Sequence, residues 1–175
     1  MLAVKRWLES TTHINLDFIV YDNQAMCTLI DLNGGSKRFD LTGRILGSDQ
    51  RPISVEAKRY STPGHQGTEY KKFLAIAYST YLAEREARGE TRREYMWVTY
   101  HPFLQGEWSR LTKRSAIESA LRTYPEYLAG RAIDHDVVDQ LKERLWLLVF
   151  SKKQESLTLS QKELAKVFSQ LKRQP

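Results

Sequence analysis

Asp40 and the tripeptide Glu56-Ala57-Lys58, sixteen residues further on, are the groups in this chain whose types and spacing could do chemistry. If the chain folds back between them, two carboxylates and one ammonium meet at a single spot. Two carboxylates that close repel, and each resists ionisation unless a cation joins them. A hard divalent ion, Mg2+ or Mn2+, suits such oxygen-only ligands and keeps several of its waters. Lys58 would then polarise a metal-bound water, or neutralise charge building on a phosphate oxygen during in-line displacement. The chemistry expected is phosphodiester hydrolysis, with Asp40 and Glu56 on the metal and the Ala57 carbonyl as a further ligand.

The flanking segments carry the signature of strands that would hold these groups. Residues 36–46 and 52–58 both alternate polar and apolar side chains, the period of a strand with two unlike faces. Gly47-Ser48-Asp49-Gln50 between them is turn chemistry, and Pro52 stands at a strand start, where its missing N–H is tolerated. Folding about Ser48-Asp49 sets residues whose numbers sum to about 97 opposite each other, so Asp40 faces position 57, between Glu56 and Lys58. Cross-strand neighbours approach to roughly 5 Å at Cβ and diagonal ones to roughly 7–8 Å. Ile53, Val55 and Ala57 share one face, and Ser54, Glu56 and Lys58 the other; Phe39, Leu41 and Ile45 likewise oppose Asp40, Thr42 and Arg44. The apolar faces are expected to meet the core and the charged trio to stay out of it. A second Glu-x-Lys, Glu69-Tyr70-Lys71, lies in a segment of helical period, where residues two apart do not face each other, and cannot build the same site.

On these residues the chain resembles the PD-(D/E)xK nuclease superfamily. Gly34-Gly35 ahead of Phe39-Asp40, followed by Val55-Glu56-Ala57-Lys58-Arg59-Tyr60, is similar to its Mrr-like branch, and Gln66-x-x-x-Tyr70 resembles the Gln/Tyr motif of RecB-like nucleases. Phe39 stands where the superfamily's name has proline. The resemblance implies a restriction-endonuclease-like α/β core of order α-β-β-β-α-β, a mixed sheet flanked by helices, and Mg2+-dependent cleavage of DNA, less often RNA. It also implies that Lys58 serves the attacking water, that Gln66 and Tyr70 support the site, and that Glu9, from a first helix, joins the metal. The expected function is a metal-dependent DNA endonuclease, or the nuclease subunit of a larger defence, repair or mobile-element machine. Two alternatives stand beside it: a non-catalytic module on the same fold that binds DNA or a protein, and a junction resolvase, which would need a homodimer to cut two strands.

Composition bounds the rest. A chain of 175 residues with 41% hydrophobic content is enough for one domain with a sizeable core. The division expected within it is a core over about 1–104 and a C-terminal helical extension over about 105–175. Of the net charge of +6, residues 61–175 carry +5, with 19 basic and 14 acidic side chains, which is compatible with a polyanion lying across them. Basic pairs are spread along the chain rather than clustered; Arg38, Arg59, Lys71 and Lys72 are the ones near enough to the proposed site to touch phosphates. Cys27 is the only cysteine, which excludes an intrachain disulfide framework and a zinc ribbon, so a cytoplasmic home is expected. No apolar run approaches the length of a membrane span.

Along the chain, residues 2–10 are predicted as a short helix, 13–21 and 26–32 as two strands, and the site hairpin as two more, a meander of about four strands. Tyr70, Phe73, Leu74, Ala77 and Tyr81 recur at helical spacing and predict a long helix over 66–88, separated from the site strand by Pro63-Gly64. Residues 95–100 then read as an aromatic, β-branched strand. Residues 111–122 and 134–145 look helical, and 146–150 fit either a helix end or a short strand. Ser160-Gln161-Lys162-Glu163 is a capping box that opens a terminal helix. The four histidines are scattered, without a helical metal spacing.

Overall fold

A computed structural model describes residues 1–60 and 64–171, and the chain enters it through helix α1, Leu2–Thr11. Ala3, Val4 and Leu8 make one buried face of α1, and the helix closes where Thr12 returns both its backbone N–H and its hydroxyl to the Leu8 carbonyl. Strand β1, Ile14–Ile19, follows. Strands β2, Thr28–Ile30, and β3, Ser36–Arg38, then pair only with each other. Asp31 shapes their turn: its Oδ1 accepts the N–H groups of Asn33 and Gly35, while Gly34 takes a φ of 76° that a side chain would strain.

The chain continues through β4, Leu41–Ile45, β5, Arg51–Lys58, the long helix α2, Gln66–Arg88, and β6, Glu94–Thr99. A 3-10 turn at Gln105–Arg110, helix α3, Arg114–Thr123, a second 3-10 turn at Pro125–Leu128 and helix α4, His135–Lys142, lead to β7, Leu145–Val149. Helices α5, Lys152–Ser156, and α6, Gln161–Gln170, end the described chain. The main sheet has the order β1-β4-β5-β6-β7. Its first three strands are antiparallel, with a short turn between β4 and β5 and the β2–β3 hairpin between β1 and β4; β5, β6 and β7 are parallel, and helices make the crossovers. The architecture is an α/β fold with a mixed five-stranded sheet flanked by helices.

Both faces of this sheet are covered. One packs α1 on Leu16, Leu41, Ile53, Val55, Met96 and Val98. The other packs α2, α3 and α4 on Phe39, Tyr95, Trp97 and Leu145. The predicted division into an apolar face in the core and a charged face outside it is therefore corrected: Ser54, Glu56 and Lys58 project to the α2 side, where Ser54 is buried and the two charged residues are half-buried at the end of the second core.

Other boundaries differ for physical reasons. Residues 36–46 are not one strand, because Phe39 leaves the pleat. Its N–H bonds to the Cys27 carbonyl and its ring packs against Phe73 and Tyr95. The segment predicted as a second strand of the meander shortens to three residues in the separate hairpin, so five strands, not four, precede α2. Residues 145–149, ambiguous by period, pair in parallel with β6, so the stretch beyond residue 104 supplies a sheet strand as well as helices. Helix α2 has the predicted bounds, and the Ser160–Glu163 capping box is formed in both directions. Pro63, part of the predicted separator, lies outside the described residues. Among those described, no helix is long and apolar enough to cross a membrane.

Candidate functional site

The hairpin of β4 and β5 brings the three predicted groups together, in a register one residue from the predicted one. Leu41 pairs with Val55 and Thr42 with Ser54, so the numbers sum to 96 and Asp40, just past the end of β4, lies beside Glu56. The Asp40 carboxylate takes the place of the next ladder bond: Oδ2 accepts the Ala57 N–H at 2.8 Å. On the exposed end of the same strand, Lys58 Nζ sits 2.6 Å from Glu56 Oε1. Burial, and secondarily the charge of Asp40, pushes the Glu56 carboxyl above its ordinary range, although Lys58 opposes this. Burial works against the Lys58 ammonium, but its bond to Glu56 and the charges of Glu56 and Asp40 prevail and raise its pKa.

The arrangement thus already contains a cation. The Lys58 ammonium satisfies one oxygen of Glu56, and the backbone satisfies one of Asp40. Among the described residues no group of three or more His, Cys, Asp or Glu side chains could hold a metal ion. Glu9, expected as a further ligand, is buried elsewhere, where it accepts the Leu16 N–H at 3.0 Å and bonds Lys5, tying α1 to β1.

Around Glu56 and Lys58 lies a cleft of about 200 Å³ between β3, the ends of β5 and β6, and α2. Strand β3 contributes Lys37 and Arg38, and α2 contributes Lys72; with Lys58 these make four cations, against the two acids Glu56 and Glu69. Phe39, Phe73 and Trp97 form the aromatic part of its lining, and the Lys58 ammonium stands 6.0 Å from the Trp97 ring centre. Arg38 is steadied by Gln24, and Lys37 by Asp31 and the face of Tyr127.

Of the four basic residues expected to touch phosphates, Arg38 and Lys72 line this cleft. Arg59 does not: it lies over Tyr100 and pairs with Glu155 at 3.7 Å. Lys71 turns to a different recess, between α2 and α3. Gln66 is buried and accepts the Thr99 hydroxyl, and Thr99 is the β6 partner of Lys58, so Gln66 braces the end of the site strand from behind. Tyr70 is part of the core. Its hydroxyl donates to the Leu111 carbonyl at 2.9 Å, its ring meets Trp97 edge-on, and burial drives its pKa far upward. Tyr70→Phe is expected to leave ligand binding unchanged while costing about 1–2 kcal/mol for the orphaned carbonyl. That would lower the melting temperature by about 2–8 °C at the rate usual for a chain of this size, and thermal melts beside a binding titration check both halves.

Sequence reasoning missed Trp97 and Phe73 as site residues. Their local patterns signal only a buried strand and a packed helix; Trp97 reaches the cleft through the parallel register that sets it beside Glu56. Lys37 stood in plain view as a basic pair with Arg38, but its place depended on the separate β2–β3 hairpin.

No protein-family model matches this chain. No curated protein matches it either. Among solved structures it is similar to a Cap4 SAVED/CARF-domain containing receptor of Acinetobacter baumannii with the cyclic trinucleotide 3'3'3'-cAAA, at 14% identity and a TM-score of 0.42, covering 95% of this chain and 34% of that one. A second structure of that receptor, with 2'3'3'-cAAA, matches at 15% identity and a TM-score of 0.38, with the same coverage. The chain spans about one third of the length of these receptors, and a likeness at this level transfers no ligand or activity. The resemblance to PD-(D/E)xK nucleases is corrected on the site itself: the described residues hold no group of three or more His, Cys, Asp or Glu side chains for a metal, Lys58 is paired with Glu56, and Asp40 is bonded to the Ala57 N–H. The expected endonuclease, and with it the junction resolvase, is set aside.

Proposed function

We propose that the chain is a non-catalytic binding module whose cleft, lined by Lys37, Arg38, Lys58 and Lys72, takes the phosphate backbone of DNA. The observation that carries this reading is the convergence of four cations from three separate elements on one small cleft, where phosphate contacts fix a strand's position. Glu56 acts as an internal counterion: it holds Lys58 in place in the free protein and must yield it, at least in part, to an arriving phosphate. Asp40 fixes the strand that presents both. A divalent ion, if bound, would be held by Asp40, Glu56 and the Ala57 carbonyl in place of the Glu56–Lys58 pair, and would supply further positive charge for a ligand phosphate.

The test is fluorescence anisotropy with labelled single- and double-stranded oligonucleotides and with a cyclic trinucleotide, in EDTA and in Mg2+. Lys58→Ala and Lys72→Ala are each expected to weaken DNA binding about tenfold and to lower the salt dependence by about one phosphate contact. Glu56→Gln is expected to tighten binding several-fold, because it frees Lys58 and removes a charge that repels phosphate. Binding indifferent to all three substitutions would overturn the reading. So would a preference for the cyclic trinucleotide alone, or Mg2+-dependent cutting of the probe that Lys58→Ala abolishes.

A further inference from the structure

Trp97 is 1% exposed, yet its indole Nε1 is one of two buried side-chain polar atoms among the described residues without a hydrogen-bond partner. Buried indole N–H groups usually find an acceptor. Even the more exposed Trp146 does so in this chain, donating to Glu94 at 2.8 Å. The unsatisfied donor belongs to a residue that lines the basic cleft, beside the Phe73 ring and beneath the Lys58 ammonium. An aromatic lining, an unused donor and surrounding cations are together the chemistry that receives a nucleotide: a flat ring, an acceptor on its edge and a phosphate attached.

Resting on the DNA-binding reading, we infer that the cleft takes one unpaired base of a single strand, which accepts the Trp97 N–H and leaves its phosphate to Lys58 and Lys72. In a duplex each ring is stacked between its neighbours and cannot be inserted into the cleft, so a base can enter only from a single strand or after being turned out of the helix. Every base carries a carbonyl oxygen or a ring nitrogen able to accept, so this contact does not choose among sequences, and the need to insert the ring selects unpaired bases over paired ones. Lys58 is the gate, since its ammonium must shift from above the indole as the base arrives, and the phosphate that comes with the base is what draws it from Glu56.

The experiment compares a short single-stranded oligonucleotide with an abasic strand of the same length, and with its duplex, on the wild-type protein, Lys58→Ala and Trp97→Phe. The wild type is expected to bind the intact strand about tenfold more tightly than the abasic one, the scale of satisfying one buried donor, and to bind the duplex more weakly than the intact strand. Trp97→Phe, checked for folding by near-ultraviolet circular dichroism, is expected to shrink the intact-to-abasic ratio toward one and to abolish most of the tryptophan fluorescence change on binding. Equal wild-type affinity for intact and abasic strands, both weakened by Lys58→Ala, would overturn the base contact while leaving the phosphate reading in place. Absence of binding to either strand would overturn both. The wild-type comparison decides the matter even if Trp97→Phe does not fold.

Discussion

Replacing Gly43 by alanine is expected to destabilise the fold by about 4 kcal/mol, in the range reserved for defects that packing cannot relieve. Gly43 lies in the middle of β4, opposite an irregularity in β1, whose pairing shifts register between Asn15 and Phe18. The extra residue presses the β1 backbone onto β4 at that level. A Cβ at position 43 would stand 1.9 Å from the Asn15 carbonyl oxygen and 2.6 Å from the Leu16 Cα. These neighbours are backbone atoms, with no rotamer to change, so the strands must part. Strand β1 lies at the edge of the sheet and holds α1 through the Glu9 bond to the Leu16 N–H, so a displaced β1 loosens that layer as well. The measurement is urea unfolding by circular dichroism, with Gly106→Ala as the control. A Cβ there meets nothing within 4 Å, and stability is expected to change by no more than about 0.5 kcal/mol. A Gly43→Ala protein as stable as the control would show that β1 does not sit on β4 as described.

Glu94→Ala is expected to cost about 3 kcal/mol. Glu94 opens β6 with its side chain wholly buried, and it gathers three strands at the end of the sheet remote from the cleft. Arg51, at the start of β5, bonds Oε1; Arg144, just before β7, lies 3.9 Å from the same oxygen; the Trp146 indole donates to Oε2. Removing the carboxylate leaves two guanidinium groups without their anion and an indole without its acceptor. Losing one partner of a buried pair costs about 3–5 kcal/mol, and the lower end applies because the side chains of Arg51 and Arg144 retain 36% and 22% of their exposure to water. The melting temperature should fall by about 6–12 °C. Glu94→Gln, which keeps an acceptor for Trp146, should recover part of the loss. Because the network sits at the other end of β6 from Thr99 and the cleft, DNA affinity measured well below the melting point should not change. A Glu94→Ala protein that melts like the wild type would mean that solvent already satisfies these guanidiniums.

Much of the local structure was legible in the residues themselves. Helix α2 took the bounds predicted for it, because an apolar stripe at helical spacing that runs from Tyr70 to Tyr81, about three turns, admits no competing period. The capping box at Ser160 needs only residues three apart, and it formed. Asp40, Glu56 and Lys58 met because two short alternating segments joined by a turn have almost no freedom except register, and there the prediction was off by a single residue. Residues 145–149 went the other way: five apolar residues fit a helix end as well as a strand, and only the vacant parallel edge of β6 decided between them.

The expected function did not survive, and the reason is also physical. Sequence determined that two acids and an amine would share one place. It did not determine their partners, and in the folded chain the amine neutralises one acid while a backbone N–H takes the other. The cleft itself was decided only by tertiary structure. Lys37 and Arg38 reach it from a hairpin outside the main sheet, Lys72 and Phe73 from α2, and Trp97 from a strand forty-one residues beyond Glu56. Local pattern fixes each element, because backbone period and capping act over a few residues. What faces what across 200 Å³ of cleft depends on strand order and on the covering of both sheet faces, which only the packed whole specifies.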